Sequence, residues 1–217
     1  MDAGADVNAT ESEEMWTPLH FAAQYGQLDS CKFLISRGAT ICSSKGGYPI
    51  HLAAKLGSWE LIKWLIEIGD DPRRIGPEGV TVLGRAALGG RVEIVKELLN
   101  LGLSPHPVDD ACPPFIEVCE GGNMELFRMF VDLGVDINAK HDKKCTALHR
   151  ACGAGHAEIA NALLDLDAKL EVVRDPVLVP ACMAGLLDVA KRLIALGMTL
   201  LPPYRTIIEN RESKIEY

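Results

Sequence analysis

Two stretches decide the fold: TPLHFAAQYGQLDSCKFLISRGA, from Thr17 to Ala39, and YPIHLAAKLGSWELIKWLIEIGD, from Tyr48 to Asp70. They share an opening Pro, a histidine two residues on, an Ala-Ala pair and a glycine, followed by a longer apolar stretch that ends near a second glycine. TALHRACGAGHAEIANALLDLDA, from Thr146 to Ala168, repeats the pattern. In each copy Thr or Pro opens a short helix, as a hydroxyl N-cap or a first-turn proline should. The small pair Ala22-Ala23, repeated as Ala53-Ala54 and Ala86-Ala87, leaves that helix thin enough for a neighbour to approach closely. Beyond the glycine, apolar residues recur at helical spacing, as in Leu61, Ile62, Leu65 and Ile66, or Ile94, Val95, Leu98 and Leu99. Gly38, Gly69, Gly102, Gly134 or Gly197 then supplies a left-handed C-terminal cap.

The glycines between the two helices fall at 26, 57, 90, 122, 155 and 185, giving spacings of 31, 33, 32, 33 and 30 residues. This period and the TPLH-like openings resemble the ankyrin-repeat family. The resemblance covers nearly the whole chain and implies an all-α solenoid of about six helix-turn-helix repeats joined by β-hairpin loops. It is strong in the repeats opening at Thr17, Tyr48 and Thr146, and weaker at TVLG (Thr81 to Gly84), PPFI (Pro113 to Ile116) and PVLV (Pro176 to Val179). The expected division is a preceding repeat's tail over 1–16, then repeats over 17–47, 48–79, 80–110, 111–144, 145–175 and 176–200. A cap or linker follows over 201–217. Met1 to Ala9 matches only the end of a repeat, so the chain is expected to start inside a longer array. No single repeat can bury its own apolar faces, so stability is expected to come from stacking.

Composition narrows the functional classes. The net charge of −8 over 217 residues disfavours nucleic acid, which needs clustered Lys and Arg. The short basic runs Arg73-Arg74 and Lys143-Lys144 read as loop charges. The longest apolar run, Pro176 to Leu187, ends at Asp188, well short of a membrane span of ~20 residues. Seven cysteines without a CxxC pair fit a reducing compartment, so an intracellular location, cytoplasmic or nuclear, is expected.

No catalytic residue, metal ligand or cofactor site is assigned, and the chain is read as a non-enzyme. There is no P-loop, no GxSxG, and no GxGxxG between strand and helix. His20, His51 and His149 occupy the TPLH position, where the resemblance implies a structural hydrogen bond. His106, His141 and His156 have no metal-binding pattern around them. Cys119, Cys152 and Cys182 replace the second small residue of the first helix and are expected to stay reduced. Cys112 and Cys145 share a position just before that helix, nearer the hairpin surface. Asn8 and Asn138, in DVNA and DINA, resemble loop asparagines that an intracellular asparaginyl hydroxylase modifies in ankyrin proteins; the simpler role, satisfying a turn, is compatible with it.

The resemblance implies a partner held on hairpin tips and the exposed side of the first helices. First-helix candidates are Trp16, Gln24, Tyr25, Lys55, Leu56, Leu88, Glu120 and Met183. Hairpin candidates are Lys45, Tyr48, Arg73, Arg74, Glu78, Asp109, Asp110, His141, Asp142, Lys143 and Lys144. Trp16 and Tyr25 are the leading anchors, because aromatic side chains bury much area at modest entropic cost; Trp16 also has a reading as a cap on a frayed half-repeat. Trp64 is open between a convex-side contact and core packing. The expected partner is another protein bound by a monomer, with no nucleic acid and no membrane insertion. Two other functions stay open: a regulatory or substrate-recruiting part of a larger enzyme, and a pathogen effector mimicking a host adaptor.

Overall fold

The computed structural model describes residues 4–11, 13, 15–42, 44, 47–107, 109, 111–141, 145–170 and 177–198. The expected terminal segment 201–217 lies outside them, as do Lys45, Asp110, Asp142, Lys143 and Lys144.

Twelve α-helices follow one another in pairs among the described residues: α1 (Pro18–Gln24) and α2 (Leu28–Ser36), α3 (Pro49–Leu56) and α4 (Trp59–Glu67), α5 (Val82–Leu88) and α6 (Val92–Asn100), α7 (Pro114–Gly121) and α8 (Met124–Asp132), α9 (Ala147–Gly153) and α10 (Ala157–Asp165), α11 (Leu178–Met183) and α12 (Leu187–Ala195). The odd-numbered helices stack on one another in sequence, α1 on α3 through to α9 on α11, and form the inner layer. The even-numbered helices form the outer layer, each packed on its own partner or on its neighbours.

Small residues make this stacking close. Ala22-Ala23, Ala53-Ala54 and Ala86-Ala87 are buried, as are Cys119 and Cys152 at the same place in later repeats, whereas Cys182 is only half-buried. The outer helices bury Leu61, Ile62 and Leu65, Ile94, Val95 and Leu98, or Leu126, Phe127 and Phe130. Each such side chain contributes ~1.5–3 kcal/mol when taken out of water. Where α7 carries Phe115 at the usual Leu position, its ring meets Phe127 with centroids 5.5 Å apart.

Hairpin structure is sparse among the described residues. β1 (Lys140–His141) pairs antiparallel with β2 (Cys145–Thr146), and Ser44 bridges Gly47. The loop after α4 closes differently, through a one-turn 3-10 helix over Pro77–Gly79 and a bond from Gly76 N to Val80 O of 2.8 Å.

The inner-helix histidines fasten the openings. His20 Nδ1 lies 3.1 Å from the donating Thr17 N–H and 2.8 Å from Thr17 Oγ1. His51 Nδ1 accepts from Tyr48 N at 3.2 Å, and His149 Nδ1 sits 3.0 Å from Thr146 Oγ1. Burial lowers the pKa of His20, and burial together with the Arg85 cation lowers that of His51 to about 4, so both rings are neutral near pH 7. The opening at Thr81 keeps its cap without a histidine: Thr81 Oγ1 accepts from Gly84 N at 3.0 Å.

Candidate partner-binding face

The concave side is built from the inner helices, and a recess lies on it between α1, α3 and α5. A cavity of about 440 Å³ opens there, with Trp16, Leu52 and Leu56 as apolar wall and Gln24, Lys55, Arg85 and Arg91 as polar wall. Four of the residues expected at a partner surface, Trp16, Gln24, Lys55 and Leu56, thus come together. Trp16 is half-buried, with its ring edge-on to Phe21 at 5.1 Å and its Nε1 buried without an acceptor among the described residues. Tyr25 is 68% exposed and outside the cavity lining, and Met183 is similarly open on α11.

Arg85, Arg91 and Glu117 stand here without having been expected from the sequence. Arg85, Glu117 and Arg150 occupy one inner-helix position in three successive repeats, a sign alternation that would have flagged them. Arg85 Nη1 is 3.7 Å from Glu117 Oε1, and Arg150 Nη1 is 3.3 Å from Glu120 Oε2. Glu117 is buried and its Oε2 has no hydrogen-bond partner among the described residues. Burial pushes its carboxyl up to about 7, against the pull of Arg85. The degraded opening TVLG fits this arrangement: a Cβ on Gly84 would fall on Glu117 Oε2, so a side chain there would occupy the carboxylate's space.

Arg91 reaches back along the stack. Its Nε donates to Lys55 O at 3.1 Å, closing the C-terminal end of α3, and its stem lies over Gly57. A Cβ on Gly57, whose φ is +93°, would come within 2.8 Å of Arg91 Cδ. His156 does the same two repeats further along, its Nε2 lying 2.9 Å from Glu120 O.

The loop-side candidates divide. Arg73 and Asp109 help line a second cavity of about 410 Å³ with Ile75, Leu83 and Leu103, and Arg73 Nη2 also donates to Leu101 O at 3.2 Å. Arg74 is engaged within the fold: its guanidinium lies 4.5 Å from the Tyr48 ring centroid and 3.4 Å from the buried carboxylate of Asp70. Glu78 is exposed, Leu88, Glu120 and His141 are half-buried. Trp59 and Trp64 are half-buried against the core.

Asn8 and Asn138 tie adjacent loops. Asn8 Oδ1 accepts from Thr40 N at 2.8 Å while its Nδ2 donates to Gly38 O at 3.1 Å; Asn138 Oδ1 accepts from Lys169 N at 2.8 Å. Cys112 is buried, against its expected place near the surface, and burial pushes its thiol up to about 12. Among the described residues no group of three His, Cys, Asp or Glu side chains is arranged to hold a metal ion. No helix among them is long and apolar enough to cross a membrane.

Comparison with known proteins agrees with this architecture. Family models of ankyrin repeats match residues 19–109, 86–174 and 115–201, and another matches 1–35. The chain belongs to the ankyrin-repeat family, whose members are generally protein–protein interaction modules. It is 30% identical over 162 residues to the ankyrin repeat and KH domain-containing protein mask-1 of Caenorhabditis elegans, covering 74% of this chain and 6% of that protein. It is 29% identical over 169 residues to the human transient receptor potential cation channel subfamily A member 1, covering 72% and 15%. The human ASB11 ankyrin repeat domain superposes with a TM-score of 0.63 at 25% identity, over 85% of this chain and 86% of that one. The chain therefore spans only a small part of these two curated relatives.

Proposed function

We propose that this array is a non-catalytic adaptor or scaffold module that holds a protein partner on its concave inner-helix face. The observation that carries this reading is the cavity between α1, α3 and α5, where a fixed aromatic, the exposed Leu56 and three cations converge on the stack. A solenoid already set in shape loses little conformational freedom on binding, so complementarity is available as affinity. The test is affinity capture with three proteins whose circular dichroism matches: wild type, a Trp16→Ala, Tyr25→Ala, Lys55→Ala variant, and an outer-helix control, Glu67→Ala, Glu97→Ala. A partner retained by wild type and control but lost from the first variant is the expected result. Equal capture by all three would refute the concave-face reading.

A second reading places the same surface inside a longer polypeptide, as its regulatory or recruiting arm. It is favoured by the small share of the curated relatives that the chain spans. The full reading frame distinguishes the two. Hydroxylation of Asn8 and Asn138 is part of the same proposal, checked by mass spectrometry of the protein purified from its own cells.

A further inference from the structure

The cleft between α1, α3 and α5 differs in charge from the molecule that carries it. The chain's net charge is −8, yet Lys55, Arg85 and Arg91 all line the cleft and no carboxylate is found among its described lining residues. Two of these cations are held in place. Arg91 is anchored through Nε to the Lys55 carbonyl and packed over Gly57. Arg85 is wedged beside Glu117 at 3.7 Å, too long for the 2.7–2.9 Å of a well-formed charge-assisted bond, and its Nε has no partner among the described residues. Lys55 is exposed, and no ion pair among the described residues occupies it. The facing wall is apolar, with Trp16 fixed against Phe21 and Leu56 open to solvent.

We propose that this cleft takes an acidic segment of a protein partner, its carboxylates meeting Lys55, Arg85 and Arg91 while an adjacent apolar side chain packs on Trp16 and Leu56. The inference rests on the concave-face reading and gives it a ligand chemistry. Fixed cations lose little freedom when a carboxylate arrives, and an apolar wall excludes water from the pair that forms. At about 440 Å³ the cleft has the volume of sites that hold a compact ligand. A local run of carboxylates suits this charge pattern better than a polyanion does. Nucleic acid or a charged bilayer extends past the cleft onto a surface with an excess of acids, whereas a short acidic run ends where the cations end.

Fluorescence anisotropy with the whole chain tests this. The probes are a short labelled peptide alternating Glu with Leu, and its counterpart with every Glu replaced by Gln; phosphatidylserine vesicles and oligo-dT serve as competitors. The proteins are wild type, Lys55→Gln, Lys55→Gln with Arg91→Gln, and Trp16→Ala with Leu56→Ala. The expected result is saturable binding of the Glu peptide, weakened on the order of tenfold or more by the Gln exchange and by Lys55→Gln, and falling as salt rises. Lys55→Gln alone keeps the test valid should the double substitution unfold. No binding up to millimolar peptide, equal binding of both peptides, indifference to Lys55→Gln, or stronger Lys55-dependent binding of vesicles or oligo-dT would overturn the proposal. Equal binding of both peptides that is nevertheless lost on Trp16→Ala with Leu56→Ala removes the charge chemistry and leaves the concave surface. Glu-selective binding that ignores Trp16 and Leu56 but needs Lys55 keeps the charges and removes the apolar wall.

Discussion

At Glu117 local and tertiary demands conflict. Its carboxyl is buried, has one unsatisfied oxygen among the described residues, and titrates near 7 instead of the ordinary 4.5. Because the folded pKa is the higher one, its stabilising contribution is present below the unfolded value and is lost as pH rises through the folded value. The cost of ionising it inside the fold is on the order of 3 kcal/mol. His51 works in the opposite sense, its folded pKa lying below 6.5 at about 4, so its contribution is lost as pH falls through that window. Comparing wild type with Glu117→Gln cancels the histidine. The expected outcome is similar urea midpoints at about pH 5 and a higher midpoint for the variant at about pH 8. A constant offset between the two proteins across that range would show that Glu117 is already ionised and satisfied.

At the scale of the helix pair, the left-handed turn after each outer helix is the sensitive element. Glycine fills it after α2, α4, α6, α8 and α12, but after α10 it is Asp167, with φ +55°. The turn's hydrogen bond persists, from Ala168 N to Leu163 O at 3.0 Å, as Ala39 N does to Leu34 O at 2.9 Å. Asp167 therefore holds a conformation that costs a side-chain-bearing residue energy and glycine almost none. Asp167→Gly is expected to stabilise the array by roughly 0.5–1 kcal/mol, read as a higher midpoint in urea denaturation. A lower midpoint would mean that the aspartate side chain supplies a bond that outweighs the strain. The helices themselves were legible in the sequence because their apolar spacing and caps are local. The sign alternation of Arg85, Glu117 and Arg150 was legible too, but the 3.7 Å approach of Arg85 to Glu117 was not, because those two side chains belong to successive repeats.

For the whole molecule, stacking sets the response to truncation. Each inner helix makes its main inter-repeat contacts with the inner helices before and after it, so removing residues 177–217 deletes α11 and α12 and uncovers one face of α9 and α10. Nearest-neighbour stability predicts that the remaining repeats stay folded with a lower thermal midpoint, and that mean helicity per residue is largely kept. Circular dichroism checks this; collapse to an unfolded chain would mean that the last pair acts as an indispensable cap.

The sequence by itself determined the period, the helix pairs, the threonine, tyrosine and proline openings and the residues of the inner face, because each depends on a residue and its neighbours within one turn or one repeat. It placed Trp16, Gln24, Lys55 and Leu56 on that face without showing that they close around one cleft. Only the tertiary structure decided that Arg91 folds back onto the Lys55 carbonyl, that Gly84 gives its space to Glu117, and that Arg74 is taken up by Asp70 and Tyr48. The first two contacts join successive repeats, so their distance is set by the small side chains that let one repeat pack closely on the next, whereas the partners of Arg74 lie in its own repeat and are brought to it by the path of the loop after α4.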